Sequence, residues 1–285
     1  MQTASQRLRS NISLVRSRLS ARIGAVWAHA RLGELYPEFL FASYAVTAAS
    51  APAMRLAAER SAALVGKDPL AEWLRDYYLE HAEEEQGHEQ WILNDLESLG
   101  IARERVMDRL PYTSVSALVG AQYYWMLHVH PVAYLGFIAV LEQPTSLDFL
   151  QEVAERTGIG LSSMTAHTRH ATLDTGHVAE FDAALDRLPL TERQQELMTI
   201  SAVATVAHLE DVFADVLEHF GRLDGVDRVD GVHGSDGFAG LDGAGLDGAD
   251  TDRGKKQQRA RGIFTNRRAY GRKSLAGAGL AGAGY

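Results

Sequence analysis

"HAEEEQGHEQW", residues 81–91, packs two histidines and four carboxylates into eleven positions and ends on a tryptophan. An α-helix turns about 100° per residue, so His81, Glu84, Glu85 and His88 fall on one stripe. The stripe continues through Trp91, Ile92, Leu96 and Leu99, which marks it as the face turned to a core. Carboxylates and imidazoles therefore stand where apolar side chains are expected. A lone buried carboxylate costs about several kcal/mol and tends to take up a proton instead. The stretch needs a partner that neutralises acids and accepts imidazole nitrogens.

A second window repeats the pattern. "HTRHATLDTGHVAEF" (167–181) sets His167, His170, Asp174 and His177 on one face, continued by Phe181, Ala184 and Leu185. The opposite face carries Glu180, Asp182 and Asp186, as a solvent side would. Glu142 adds a third piece, closing the apolar run "AYLGFIAVLE" (133–142). A divalent cation would resolve all three. Imidazole plus carboxylate without thiolate suits iron or manganese better than structural zinc. Glu85-x-x-His88 and Asp174-x-x-His177 are two acid-x-x-His pairs on separate helices, an arrangement that carboxylate-bridged dimetal bundles use. A satisfied polar network is the alternative, and a single Glu-x-x-His by itself carries little weight.

Working outward, three- and four-residue apolar spacing runs almost throughout residues 1–222, and no convincing alternating strand appears. Helices are expected over 3–31, 34–48, 51–65, 69–99, 113–142, 145–157, 161–187 and 190–221. Thr191 is positioned to cap the last, and His130-Pro131 to kink the 113–142 segment. Residues 1–33 carry six arginines and no acid, which reads as an amphipathic first helix rather than a transit peptide. Residues 34–222 form the helical domain. From 223 to 285 the composition turns to Gly and Asp, then to basic residues, with no core-forming pattern. That tail is expected to be disordered.

Composition narrows the chemistry. The 285 residues are 46% hydrophobic, enough for a sizeable core. A net charge of −9 disfavours nucleic acid as the main partner. The absence of cysteine removes disulfides, iron–sulfur clusters and thiol nucleophiles. No apolar run approaches the roughly 20 residues of a bilayer span, so no membrane partner is expected and the cytoplasm is the default compartment.

Three stretches together, "HAEEEQGHEQWILNDLESLG" (81–100), "HPVAYLGFIAVLEQP" (130–144) and "HATLDTGHVAEF" (170–181), resemble the haem-oxygenase-like diiron oxidases, also described as iron-containing redox enzymes. The resemblance covers about residues 35–220, and its most specific part is His170-x3-Asp174-x2-His177. It implies an all-α, haem-oxygenase-like seven-helix bundle and dioxygen activation at two Fe(II) ions, one of them weakly bound, without haem. Carried over by position, it implies His88, Glu142, His170, Asp174 and His177 as ligands. The first-helix carboxylate stays open among Glu85, Glu84 and His81. Glu85 is favoured, because a carboxylate can bridge and His81 lies two turns from His88 with side chains leaning toward the N-terminus. The implied partners are dioxygen and a small-molecule substrate, with a homodimer as the candidate assembly. The implied reactions include N-oxygenation of amines and oxidative cleavage of amino-acid-like or fatty-acid-like substrates. Tyr123, Tyr124 and Tyr134 are the aromatics expected to line the pocket. A ferritin-like iron-binding bundle would show two full Glu-x-x-His motifs, and a metal-free helical binding protein would carry no stoichiometric iron.

Overall fold

The computed structural model describes residues 2–142, 146–173 and 177–230. Its helices are α1 (Ala4–Val15), α2 (Ser17–Trp27), α3 (Leu32–Ala62), α4 (Ala71–Glu84), α5 (His88–Ser98) and α6 (Arg103–Met107). They continue with α7 (Thr113–His128), α8 (Ala133–Leu141), α9 (Leu147–Thr157), α10 (Thr165–Leu173), α11 (His177–Arg187) and α12 (Glu192–Asp230). No strand occurs among the described residues. The all-α expectation holds, and the departures lie in where helices break.

Two expected helices are one. α3 runs unbroken from 32 to 62 with Pro37 and Pro52 inside it. A proline forfeits one backbone bond and crowds the preceding turn. Here α3 packs along its length against α4, α5, α7 and α12, and that burial outweighs the local cost. Three other expected helices are split. The 3–31 segment turns at Arg16 and ends at Trp27. The 69–99 segment breaks at residues 85–87, where Gly87 adopts a left-handed φ of 92° that a side chain would disfavour. The 113–142 segment opens between 128 and 133, at the His130-Pro131 step.

Capping explains the ends that the sequence located well. Thr3 and Gln6 form a reciprocal capping box on α1. Thr191 accepts from Gln194 N at 3.2 Å while Gln194 Oε1 accepts from Thr191 N at 2.9 Å, opening α12 as expected. α12 continues eight residues past 222, so helix occupies the start of the expected tail, and residues 231–285 lie outside the described residues.

α8 is the central element, buried from Ala133 to Val140. Gly136 lets it lie directly on α12: a Cβ there would stand 2.2 Å from Met198 O and 2.9 Å from Ala202 N. The contact fixes the level at which Glu142, at the C-terminal cap of α8, meets the neighbouring helices. By length and composition, residues Glu192–Arg222 of α12 could cross a bilayer. In this fold their apolar face is a bundle face, with Met198, Ala202, Val206 and Val216 buried. α1 is latched on by Arg9, which donates to Ala139 O at 2.6 Å and to Asp182 Oδ1 at 2.9 Å.

Candidate metal centre

The break at Gly87 decides the geometry of the first window. Glu85 ends α4 and His88 begins α5, so the two keep their three-residue spacing across a turn rather than along one helix. His88 Nδ1 lies 3.2 Å from Glu85 Oε2. It is buried, yet it has no hydrogen bond of good geometry. His170 comes in from α10, and single ligand-type atoms of Glu85, His88 and His170 all lie within 4.8 Å of one another. Two donors bound at about 2.0–2.2 Å from one first-row ion stand at most about 4.4 Å apart, so a small side-chain shift brings this set onto a shared ion.

The orientation of His170 is fixed from its own helix. Its Nδ1 is 2.8 Å from Ala166 O. A carbonyl only accepts, so Nδ1 carries the proton and Nε2 keeps a lone pair. A backbone carbonyl on the far nitrogen is the usual way a metal-binding histidine is held.

Trp91 explains its place in the stripe. Its ring stacks on His88 at 3.9 Å between centroids and meets His170 edge-on at 5.7 Å. The Arg169 guanidinium lies over the same ring at 4.7 Å from its centroid. The tryptophan therefore restrains the planes of both imidazoles.

His81 takes the other direction. Its Nε2 lies 3.8 Å from Glu142 Oε1 and its Nδ1 3.8 Å from Glu84 Oε2. The ring stacks on Tyr77 at 4.0 Å, and Tyr77 stacks on Trp73 at 4.7 Å. Of the three first-helix candidates, Glu84 is exposed, Glu85 joins His88 and His170, and His81 pairs with Glu142. Asp174 lies outside the described residues, and His177 is described only as the first residue of α11.

The electrostatics match a site that expects a cation. Burial pushes the Glu85 carboxyl up, but His88, His170 and His81 outweigh it and hold the pKa below the ordinary carboxylate value. Neither lysine nor arginine pairs with Glu85, His88 or His170 among the described residues. Burial and the carboxylates Glu142, Glu84 and Glu80 raise the neighbouring Tyr77 phenol well above its usual value. The residues present thus fit a divalent ion with nitrogen and oxygen donors.

A cavity of about 410 Å³ opens beside this cluster. Its walls come from α1, α2, α3, α8 and α12, and Glu85, Glu142, His167 and His170 face into it. The volume lies within the roughly 300–1,000 Å³ of small-molecule sites. The three expected pocket tyrosines do not line it. Tyr134 is buried between Tyr78 and Phe137, Tyr123 is half-buried against the core, and Tyr124 is exposed. α7, which carries Tyr123 and Tyr124, contributes no residue to the cavity wall. The rings that do line it are Trp27, Phe39, Phe137 and Phe213. They come from four helices, and nothing in local spacing marks them as a set.

Two roles were not legible in the sequence. Asp95, fully buried on α5, accepts from Thr165 N at 2.9 Å, Thr165 Oγ1 at 2.6 Å and Ala166 N at 2.9 Å. It caps α10 from a different helix, so it sets where His170 stands relative to His88. A capping signal is sought just before a helix, not seventy residues away. His167 is the second. Its Nδ1 is 3.1 Å from the hydroxyl of fully buried Tyr36, inside a ring of Trp27 and Phe39. Tyr36 has its donor satisfied only if Nδ1 accepts, so His167 carries its proton on Nε2. Burial, then the neighbouring His170, pushes its pKa down to about 4.

A helical bundle with a candidate carboxylate–imidazole metal site is the class these features define. Residues 38–211, more than half of the chain, match the model of a family described as iron-containing redox enzyme. The chain belongs to that family of iron-containing oxidoreductases. Two solved structures share the fold. A domain of unknown function with a haem-oxygenase-like fold from Shewanella denitrificans OS217 superposes with a TM-score of 0.64 at 20% identity, covering 76% of this chain and 92% of that one. A TenA homologue from Pseudomonas syringae pv. tomato DC3000 superposes with a TM-score of 0.58 at 14% identity, covering 75% and 92%. Among curated protein sequences nothing matches.

Proposed function

We propose that the chain is a non-haem diiron oxidase or oxygenase that uses two Fe(II) ions and dioxygen to oxidise a small metabolite in a biosynthetic pathway. The reaction is amine N-oxygenation or oxidative C–C or C–N cleavage of an amino-acid-like or fatty-acid-like substrate. The observation that carries the reading is the meeting of His170 with Glu85 and His88, with the His170 proton held on Nδ1 by Ala166 O. His81 and Glu142, paired at 3.8 Å, supply donors for a second ion. Asp174 and His177 complete the ligand set in this proposal.

When bound, the iron pair supplies the activation of dioxygen. The chain's own residues do the rest. Glu85, whose carboxyl despite its burial is held below the ordinary carboxylate value by His88, His170 and His81, lowers the net charge of the site. Trp91 and Asp95 hold the imidazoles in place before any ion arrives, which removes reorganisation from the binding step. The apolar walls of the adjoining cavity keep bulk water from the reacting group and set its approach.

Anaerobic Fe(II) titration with metal analysis, followed by an oxygen pulse and stopped-flow absorbance, tests the proposal. The expected result is up to two irons per chain, one held more weakly, and an oxygen-dependent absorbance change. His170→Ala should keep the helical circular dichroism and lose that change. Zinc alone in the purified protein, unaltered by added iron, would sink the reading.

A further inference from the structure

The cavity beside the cluster is selective in its chemistry as well as its size. Most of its lining is aliphatic or aromatic. The acids that face it, Glu85 and Glu142, both belong to the candidate ligand set. No other acid lines the cavity among the described residues, so no carboxylate remains to hold an ammonium group once those two bind metal. His167 stays neutral near physiological pH and adds a hydrogen-bond donor but no charge. One permanent cation remains. Arg16 lines the cavity from the turn between α1 and α2. Its guanidinium is exposed and makes no ion pair among the described residues, whereas Arg9 and Arg18 on either side are paired with Asp182 and Glu210.

The cavity is also long. α3 borders it from Phe39 to Met54, about 22 Å at about 1.5 Å rise per residue, and α12 from Val206 to Val216, about 15 Å. An elongated apolar channel whose free charge is a single exposed guanidinium suits one kind of molecule. A guanidinium presents a planar fork of donors that matches a carboxylate or a phosphate.

We infer that the substrate of this cavity is an elongated apolar molecule bearing one oxyanionic group, and that Arg16 is the specificity-determining residue that receives the anion. This deepens the oxidase reading by narrowing its substrate class, and it sets aside amines as the main substrates. The anion is held by the protein at the α1–α2 turn, so the apolar body is the part presented to the cluster.

The test is equilibrium binding under strictly anaerobic conditions, to the full chain both metal-free and Fe(II)-loaded, read by calorimetry and by tryptophan fluorescence. The probes are dodecanoate, dodecyl phosphate, dodecylamine and dodecanol. Dodecanoate, dodecyl phosphate or both should bind at least tenfold tighter than the alcohol with or without iron, and at least tenfold tighter than the amine in the Fe(II)-loaded chain, where Glu85 and Glu142 are taken by metal. The better of the two names the head group. Arg16→Gln, at an exposed and unpaired position, should erase that preference while dodecanol affinity stays within twofold and iron content is unchanged. Equal binding of the amine to the Fe(II)-loaded chain, or an anion preference over dodecanol that survives Arg16→Gln, would overturn the inference. A preference that appears only with iron and persists in Arg16→Gln would mean that the metal takes the head group, which also overturns it. If the chain takes up no iron but the Arg16-dependent preference is present, the oxidase proposal fails and this inference stands.

Discussion

Two clusters of buried acids and imidazoles sit in this bundle, and they solve the same problem differently. At the first, Glu38 of α3 is 8% exposed and accepts from Arg109 Nη1 at 2.9 Å, from Arg109 Nη2 and from the Tyr112 hydroxyl. His219 stands 3.9 Å away, and Arg109 lies 3.8 Å over the Phe41 ring. Burial raises the Glu38 pKa, but Arg109 and Tyr112 outweigh it and hold it low. The carboxylate carries its own permanent counter-charge. At the second, Glu85 has only imidazoles beside it, and each is neutral unless protonated. An acid paired with arginine is complete as it stands. An acid surrounded by imidazole lone pairs is complete only with a cation. The contrast separates a structural ion pair from a ligand set more sharply than burial or residue type does.

The largest effect should come from breaking the self-sufficient cluster. Arg109→Met strands Glu38 and should cost about 3–5 kcal/mol in urea unfolding, while iron uptake stays at the wild-type level. Replacing Glu38 by leucine in the same chain should recover most of the loss. Iron loss in Arg109→Met would show the two clusters to be coupled.

Next comes His167, whose folded pKa of about 4 lies below the roughly 6.5 of an unfolded histidine. Between those values the unfolded chain binds a proton that the folded chain refuses. Its contribution is therefore full above about pH 6.5, declines as pH falls, and levels off below about pH 4. The total loss is about 3 kcal/mol at 1.36 kcal/mol per pKa unit. The difference between metal-free wild type and His167→Asn, followed from pH 7 to pH 4, should show that decline, and a flat difference would contradict the buried neutral ring.

Asp95→Ala tests the cap that joins α5 to α10. It should cost about 1–2 kcal/mol, as a lost helix cap does. It should also lower Fe(II) affinity roughly tenfold, in the range of lost supporting bonds around a metal site. Unchanged iron affinity would show that His170 is placed by something else. The smallest effect separates Glu85 from His81. Glu85→Ala should lower iron affinity about tenfold more than His81→Ala, about 1.4 kcal/mol. The reverse order would make His81 the primary ligand of the first window.

The sequence by itself determined the helices and the stripes. Three- and four-residue periodicity is a local property, and the caps at Thr3 and Thr191 and the break at His130-Pro131 are written in a few adjacent residues. So are the spacings that put Glu85, His88 and His170 on core faces. Tertiary structure decided what local spacing cannot carry. It kept α3 whole through Pro52, because packing along four neighbours outweighs one missing backbone bond. It broke the opening stretch at Gly87, between Glu85 and His88, so those two meet across a turn rather than along one continuous helix. It brought Asp95 to the start of α10 and Arg16 to the edge of the cavity, across distances at which no periodicity relates one residue to another. Local free energies select the elements, but the partners of a buried polar side chain are chosen by which elements pack together.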